Sequence, residues 1–338
     1  MRVSRLLASR AMPRASPARL ATRALSAQFD GETSNLYARA AEMHAHPDGP
    51  WAMMLAATKQ ALPATEALTS GPPGADAPRI LDLATGPGEP AVTIARALPG
   101  AAVTASDVSE DMIAKAEARI EAAGVARNCE AARMSFEDLG RVPSDSVDVA
   151  TCCYGYMFAG DAPTAFAETF RVLKPGGALV MTHWKDVAFM RLVGAVTAAA
   201  RGPGAAPPPP PAINPLALAE AGKTEKLLAD AGFVVDGDGC SRAEQAYPFE
   251  LGADEEFAFK LSTLPTQAAI DALKEERGAD VVMAATRAAF EEHVAAHGYR
   301  KPGGIVVEPN VFVMTVAVKP SATRQALGFL AGIAPALA

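Results

Sequence analysis

The sequence predicts an α/β fold, a mostly parallel sheet with helices on both faces. Three observations predict it. From Arg79 onward, short runs rich in branched apolar residues alternate with helix-length segments, the rhythm of a parallel sheet. The stretch ILDLATGPGEPAVTIARALPG, Ile80 to Gly100, joins a strand, a glycine turn and a helix start in that order. Half of the 338 residues are apolar while aromatics supply only 6%, which suits a helix-rich globular chain and not a disordered one.

The first 29 residues hold six arginines (Arg2, Arg5, Arg10, Arg14, Arg19, Arg23), several serines and no acid before Asp30. Such a leader reads as an organelle transit peptide over residues 1–26, cut at the RALS sequence of Arg23 to Ser26. The address it implies is mitochondrial, with plastid as the alternative. Removing its six arginines would take the formal net charge from −7 to −13. A chain so acidic is a poor partner for nucleic acid or anionic lipid, and a small molecule is the expected partner. No apolar run approaches the roughly 18 residues of a membrane span. Nothing in the sequence sets the oligomeric state.

Apolar residues recur at helical spacing from Thr33 to Leu62, interrupted at Pro47, Gly49 and Pro50. This predicts two helices in an N-terminal cap over residues 27–75. The core, residues 76–200, has strands at Ile80–Leu83, Ala102–Ser106, Glu130–Met134, Val147–Cys153 and Ala178–Thr182. Helices at Pro90–Leu98, Glu110–Ala123 and Pro163–Leu173 lie between them. The proline-rich stretch 201–215 cannot continue a helix and is a spacer. The core resumes over residues 216–236, as a helix at Leu216–Ala231, stopped by Gly232, and a strand at Phe233–Val235. Residues 237–309 are largely helical by pattern and too long for a hairpin, so they predict a lid beside the sheet edge. The last strand, Asn310–Val318, opens the final segment, 310–338. The sum is a Rossmann-like seven-stranded mostly parallel sheet, with an N-terminal helical cap and a helical insert before the last strand.

The glycine turn carries the first chemical signal. With no Cβ, glycine lets backbone approach a ligand closely, and the helix start offers unpaired N–H groups. Ligands of open α/β sheets lie beyond the carboxyl ends of the strands. Asp107 ends the second strand there, and its carboxylate can accept both hydroxyls of a ribose. Gly86-x-Gly88-x-x-Ala91 also fits the dinucleotide fingerprint, so on these residues NAD and another nucleoside cofactor stand even. The cysteines, Cys129, Cys152, Cys153 and Cys240, form no C-x-x-C pair, and no metal site is expected.

More of the chain breaks the tie. LDLATGPG (Leu81–Gly88), DVSEDMIAKA (Asp107–Ala116), SFEDL (Ser135–Leu139), DSVDVATCCYGYMF (Asp145–Phe158) and FRVLKPGGALVM (Phe170–Met181) follow one another in order. Together they resemble the class I S-adenosylmethionine-dependent methyltransferases, small-molecule branch, over roughly Arg79 to Trp184 and the final strand. The resemblance implies S-adenosyl-L-methionine as cofactor and a small-molecule methyl acceptor. It implies that Asp82, Ala84, Gly86 and Gly88 face the cofactor's methionine part. Asp107 and the adjoining Val108 would hold the ribose, and Met112 would pack on the adenine. Cys152, Cys153 and Tyr154 follow the fourth strand, where the family places the reacting methyl group and acceptor. Ala84 stands where the family's first glycine is usual, a mild departure if its backbone is in an ordinary region. Ser135 stands where an adenine-binding acid is frequent, leaving its hydroxyl and the Phe136 backbone to hold the base.

For the acceptor, an oxygen or nitrogen nucleophile calls for a general base, whereas a thioether needs none and its cationic product favours aromatic faces. Tyr154, His183 and Trp184 are the catalytic candidates. Trp51, Tyr156 and Phe158 are candidate substrate contacts, and Lys185, Arg191 and Arg300 would meet a substrate carboxylate. Tyr156 and Phe158, like neighbouring Met157, equally suit ordinary core packing, and His183 equally suits a structural histidine. His44 and His46, in HAHPD, could with Trp51 touch the substrate from the cap, and equally suit a bland loop; His293 and His297 sit one helical turn apart with no third ligand in sight. The leading expectation is S-methylation of 4-methylthio-2-hydroxybutyrate, by similarity to algal enzymes of dimethylsulfoniopropionate synthesis. The alternatives are a C- or O-methyltransferase of a quinone-type metabolite, an NAD-dependent oxidoreductase, and a non-catalytic methyltransferase-like assembly factor.

Overall fold

The computed structural model describes residues 31–63, 66–205, 214–235 and 237–321. The expected transit peptide and most of the proline-rich spacer lie outside these residues. The cap has two long helices, α1 (Glu32–Ala41) and α2 (Pro50–Ala61), joined by a 3-10 turn at Glu42–Ala45 and a tight bend at Gly49, and a single helical turn at Glu66–Thr69. Pro50 starts α2, where its missing N–H costs nothing. A side chain at Gly49 would stand 2.5 Å from the His44 carbonyl oxygen, so the bend admits only glycine.

The core then runs β1 (Arg79–Leu83), α3 (Ala91–Ala97), β2 (Ala102–Asp107), α4 (Glu110–Ala122), β3 (Cys129–Arg133) and β4 (Val147–Cys153). It continues with α5 (Ala162–Val172), β5 (Leu173–Val187) and α6 (Ala188–Arg201), and after the spacer with α7 (Lys223–Ala231) and β6 (Cys240–Gly252). Helices α8 (Glu255–Thr263), α9 (Gln267–Arg277) and α10 (Ala279–Ala296) precede the two-residue β7 (Arg300–Lys301) and β8 (Gly304–Val318). The sheet order is β3-β2-β1-β4-β5-β8-β6, with β7 paired off β8. Strands β1 to β5 are parallel, and β8 is antiparallel to both β5 and β6. The near-continuous burial along β1 and β4 is what helices on both faces require. Caps agree with sequence: Ser109 starts α4 by accepting from the Met112 amide at 3.2 Å, and Asp161 starts α5.

Four expectations need correcting. Phe233–Val235 makes only a single bridge, Val234 to Val318. The true edge strand is β6, inside the segment expected to be largely helical. Its polar, alternating Arg242-x-Glu244 register and Pro248 hid it, and Pro248 falls at a register shift between Tyr247 and Phe249, where a ladder N–H is dispensable. Strand β8 begins at Gly304 and not Asn310, and β5 runs on to Val187, so three long strands extend past the others and bear the acceptor-side residues described below. Finally, the helix expected from Leu216 begins only at Lys223, while α6, which the sequence reading left out, covers Ala188–Arg201. Among the described residues no helix is long and apolar enough to cross a membrane.

Candidate active site

A cleft of about 680 Å³, counted to its mouth, opens where β1, β2 and β4 end. Its lining takes Ala84 and Gly86 from the loop after β1, Asp107, Val108 and Met112 from the β2–α4 junction, and Ser135 and Phe136 beyond β3. Tyr154 and Phe158 close it beyond β4. All nine stood among the residues named from sequence. Cys153, named with Cys152 at the methyl group, lines it too, and four more were missed as contacts: Tyr37, Met134, Glu137 and Gly155.

The loop after β1 is held by its neighbours. The Asp107 carboxylate accepts from the Gly86 amide with one oxygen and from the Ser109 amide with the other, each at 2.9 Å. That fixes the carboxylate and keeps its outer lone pairs for incoming hydroxyls. Burial pushes the Asp107 carboxyl upward, and these backbone amides oppose the shift. Gly86 and Gly88 both take positive φ, 55° and 101°. At Gly88 an added Cβ would stand 3.1 Å from the Ala116 Cα, so this glycine seats α4 against the loop behind the cleft wall. Ala84 also has a positive φ, 52°, so its replacement of glycine is not mild: it holds a left-handed conformation that costs an L-residue about 1–2 kcal/mol.

Asp82 lies fully buried below this loop, and Thr151 donates to its Oδ1. Thr85 and the Ala91 amide approach the same carboxyl, yet among the described residues Oδ2 completes no hydrogen bond, and neither does Thr85 Oγ1. Desolvation pushes Asp82 up to about 7. A buried carboxylate oxygen without a partner is suited to a cationic group of a ligand. The dinucleotide alternative meets an obstacle one turn on. The Glu89 side chain accepts from the Thr93 amide at 3.0 Å, so a carboxylate occupies the start of α3 where a pyrophosphate would have to sit. Arg119 pairs with Glu89 at 3.3 Å and also with Glu42 of the cap, drawing the cap onto the core.

Tyr154 faces both the cleft and the interior. Its backbone is left-handed (φ 57°), pinned by its amide donating to Thr182 Oγ1 at 3.2 Å. A non-glycine residue so held marks a site where conformation serves function. Gly155 follows because a Cβ there would meet Cys152 Sγ at 2.6 Å and Ala84 Cβ at 2.7 Å. The Tyr154 ring stacks on Trp184, centroids 4.0 Å apart and 9° from parallel. Around this pair stand Tyr247 and Phe249 from β6, Phe312 from β8 and His44 from the cap, each within 6.5 Å of one or both rings. The Trp51 ring meets His44 edge-on at 6.3 Å. His44 Nδ1 is 2.6 Å from the Tyr247 hydroxyl, which lies 3.4 Å from that of Tyr154. Burial takes His44 down to about 3, so its ring is neutral.

Other candidates lie elsewhere. His183 points to the opposite face of β5 from Trp184, as strand alternation requires. There Nδ1 meets the Trp184 carbonyl at 3.1 Å and Nε2 meets Thr224 at 3.3 Å, so it ties α7 to the sheet. Of the two neighbouring cysteines, Cys152 is buried behind the cleft wall and Cys153 faces the cleft. Tyr156 bonds Thr169 at 2.6 Å and stacks on Phe166, the core role its spacing also allowed. None of the three cations expected for a carboxylate lines the cleft. Lys185 pairs with Glu244, Arg191 with Asp186, and Arg300 with Glu255 and Glu291, all on the surface. His293 and His297 stack on each other, and no group of three or more metal-ligating side chains occurs among the described residues.

Comparison with known proteins points the same way. Residues 80–177 match the family model described as a methyltransferase domain. The chain is 37% identical over 112 residues to the ubiquinone/menaquinone biosynthesis C-methyltransferase UbiE of Desulfotalea psychrophila, covering 33% of this chain and 42% of the relative. It is 36% identical over 107 residues to the demethylmenaquinone methyltransferase of Thermus thermophilus, covering 31% and 47%. The chain thus spans under half the length of these curated relatives. Among solved structures, the YcgJ protein of Bacillus subtilis aligns with a TM-score of 0.48 at 15% identity, covering 73% of this chain and 93% of that one. Family match and cleft agree on a methyltransferase domain with S-adenosylmethionine as its cofactor.

Proposed function

We propose that the protein is an S-adenosylmethionine-dependent methyltransferase whose acceptor is a small, uncharged aromatic molecule, quinol-type in its chemistry. Asp107 would hold the ribose, Met112 and Phe136 the adenine, and the loop 84–88 with Asp82 the amino-acid end. The bound cofactor supplies an electrophilic methyl group. The chain's tasks are to align the acceptor, exclude water and manage charge. The observation that carries the acceptor assignment is the Tyr154–Trp184 stack, ringed by Tyr247, Phe249, Phe312 and His44, with no cation in it among the described residues. Flat apolar faces suit a ring acceptor, and two phenol hydroxyls among them suit its oxygen. The names of the curated relatives support this direction, although the matched region stops short of the acceptor side.

S-methylation of a thioether such as 4-methylthio-2-hydroxybutyrate is the second reading. One observation favours it: the same aromatic faces would stabilise a sulfonium product. Against it stands the acceptor's carboxylate, because Lys185, Arg191 and Arg300 are each ion-paired away from the stack. The test is transfer of label from isotopically marked S-adenosylmethionine to a panel of quinols, phenols and thioethers. Label on the ring compounds and none on the thioethers is the expected result. The reverse would overturn the assignment.

A further inference from the structure

We propose that His44 is the group that takes the acceptor's proton, through the hydroxyl of Tyr247. The inference rests on the methyltransferase reading and narrows it: the acceptor must carry an ionisable O–H. The juxtaposition is specific. His44 comes from the cap, Tyr247 from the edge strand β6 and Tyr154 from the end of β4, segments up to 203 positions apart that meet through three side-chain polar atoms. Tyr154 lines the cofactor cleft, Tyr247 touches Tyr154, and His44 touches Tyr247 at 2.6 Å, so the chain of hydroxyls leads inward from the cleft and ends on a nitrogen. His44 Nδ1 makes that one hydrogen bond, and among the described residues Nε2 has none. The Gly49 bend, which no side chain can enter, fixes the loop that presents His44. A neutral imidazole bonded to a phenol and set among aromatic rings is a poor choice for core packing but a usable terminus for a proton.

The balance closes. The acceptor's hydroxyl proton passes to the Tyr154 oxygen as the Tyr154 proton passes to Tyr247 and the Tyr247 proton passes to His44 Nδ1. The acceptor oxygen, or the ring carbon beside it, gains the methyl; the carbon–sulfur bond breaks and its electron pair stays on sulfur. For a carbon acceptor, the ring C–H proton then moves to the oxygen and aromaticity returns. One positive charge enters the pocket on sulfur and one ends on His44, so protonating the imidazole adds no charge to this low-dielectric space. This answers the objection that burial disfavours the imidazolium in the unliganded protein.

The test uses the full chain labelled with 15N-histidine; the sequence has five histidines, and the signal absent from His44→Gln is His44. Phenols of falling pKa, ending with p-nitrophenol, are titrated in, with their O-methyl ethers as controls. The expected result is a His44 nitrogen shift that moves progressively toward the imidazolium position along the phenol series. It should be absent with the ethers and lost in Tyr247→Phe. Unmoved His44 resonances with bound phenol would overturn the proposal. In parallel, His44→Gln should slow labelling of a neutral phenol about 100-fold while an acceptor already ionised at the assay pH loses less than about 5-fold. Equal losses on both would mean His44 only shapes the pocket and would also overturn it. Binding of S-adenosylhomocysteine to His44→Gln, measured by calorimetry, separates the outcomes. If it binds normally, a negative result sinks this inference alone; if even the unmodified protein fails to bind it, the underlying reading falls.

Discussion

The two halves of the site are built in opposite ways. The cofactor half is local: Ala84, Gly86, Asp107 and Met112 sit on consecutive β-loop-α units, and two backbone amides lock its central carboxylate. The acceptor half is assembled from afar. His44, Tyr154, Trp184, Tyr247 and Phe312 come from the cap, the loop just past β4 and three different strands, and among the described residues packing and two hydroxyl contacts join them. A local site tolerates change elsewhere in the fold. A convergent one depends on every element that feeds it, which is why its chemistry can differ among chains that share the first half.

The sharpest way to break the comparison is Trp184→Leu. Removing most of a buried indole should cost about 2–4 kcal/mol of stability, read as a lower denaturant midpoint. Transfer to the acceptor should fall steeply while the affinity for S-adenosylhomocysteine changes less than about 2-fold, since additivity holds for separate sites. Loss of cofactor affinity in step with turnover would show that the halves are one unit. Asp107→Ala should do the converse. It weakens S-adenosylhomocysteine by about 1.5–3 kcal/mol, on the order of 10- to 100-fold in calorimetry, because hydrogen bonds to a charged group are lost. The acceptor's KM should hardly move.

Asp82 sharpens the cofactor half through pH. Its folded value, about 7, lies above the ordinary carboxylate range. In the unliganded protein, the stability this group contributes is therefore present in full below about pH 4 and lost as pH rises through 7. A ligand ammonium favours the ionised form, so affinity for S-adenosylhomocysteine should rise several-fold between about pH 6 and 8. Asp82→Asn should flatten that rise. A slope that survives the substitution would assign it to another group. The smallest effect expected is at Ala84→Gly. Relief of about 1–2 kcal/mol of left-handed strain exceeds the roughly 0.5–1 kcal/mol entropic cost of glycine, so Tm should rise by about 1–2 °C. A fall would mean that the Ala84 methyl, which faces Gly155, packs for more than the strain it carries.

Legibility followed the same division. The strand–turn–helix at Ile80–Ala97 and the Asp107 carboxylate could be read directly, because each depends on neighbours within one unit. Tyr37 could not, for its place over Gly86 depends on how the cap docks. Of the two readings open to His44, loop residue or cap contact, only docking decides, and it joins the aromatic cluster, whereas His183, the candidate base, bonds Thr224 behind the sheet. Pairing His183 with Trp184 ignored the period-two alternation of a strand, a signal that was available. Strand β6 was hidden because an edge strand buries little, so its pattern is weak, and Pro248 counts against a strand until its bulge is seen.

By itself, the sequence determined the parallel half of the sheet, the glycine turn and the acid, Asp107, that ends β2. These follow from backbone freedom and hydrogen bonding over a few residues, where spacing is geometry. Only the tertiary structure decided which aromatics converge, which histidine meets a phenol and which cations are already paired. Those facts depend on strand order and cap docking across more than two hundred positions, and no local pattern encodes contacts so far apart.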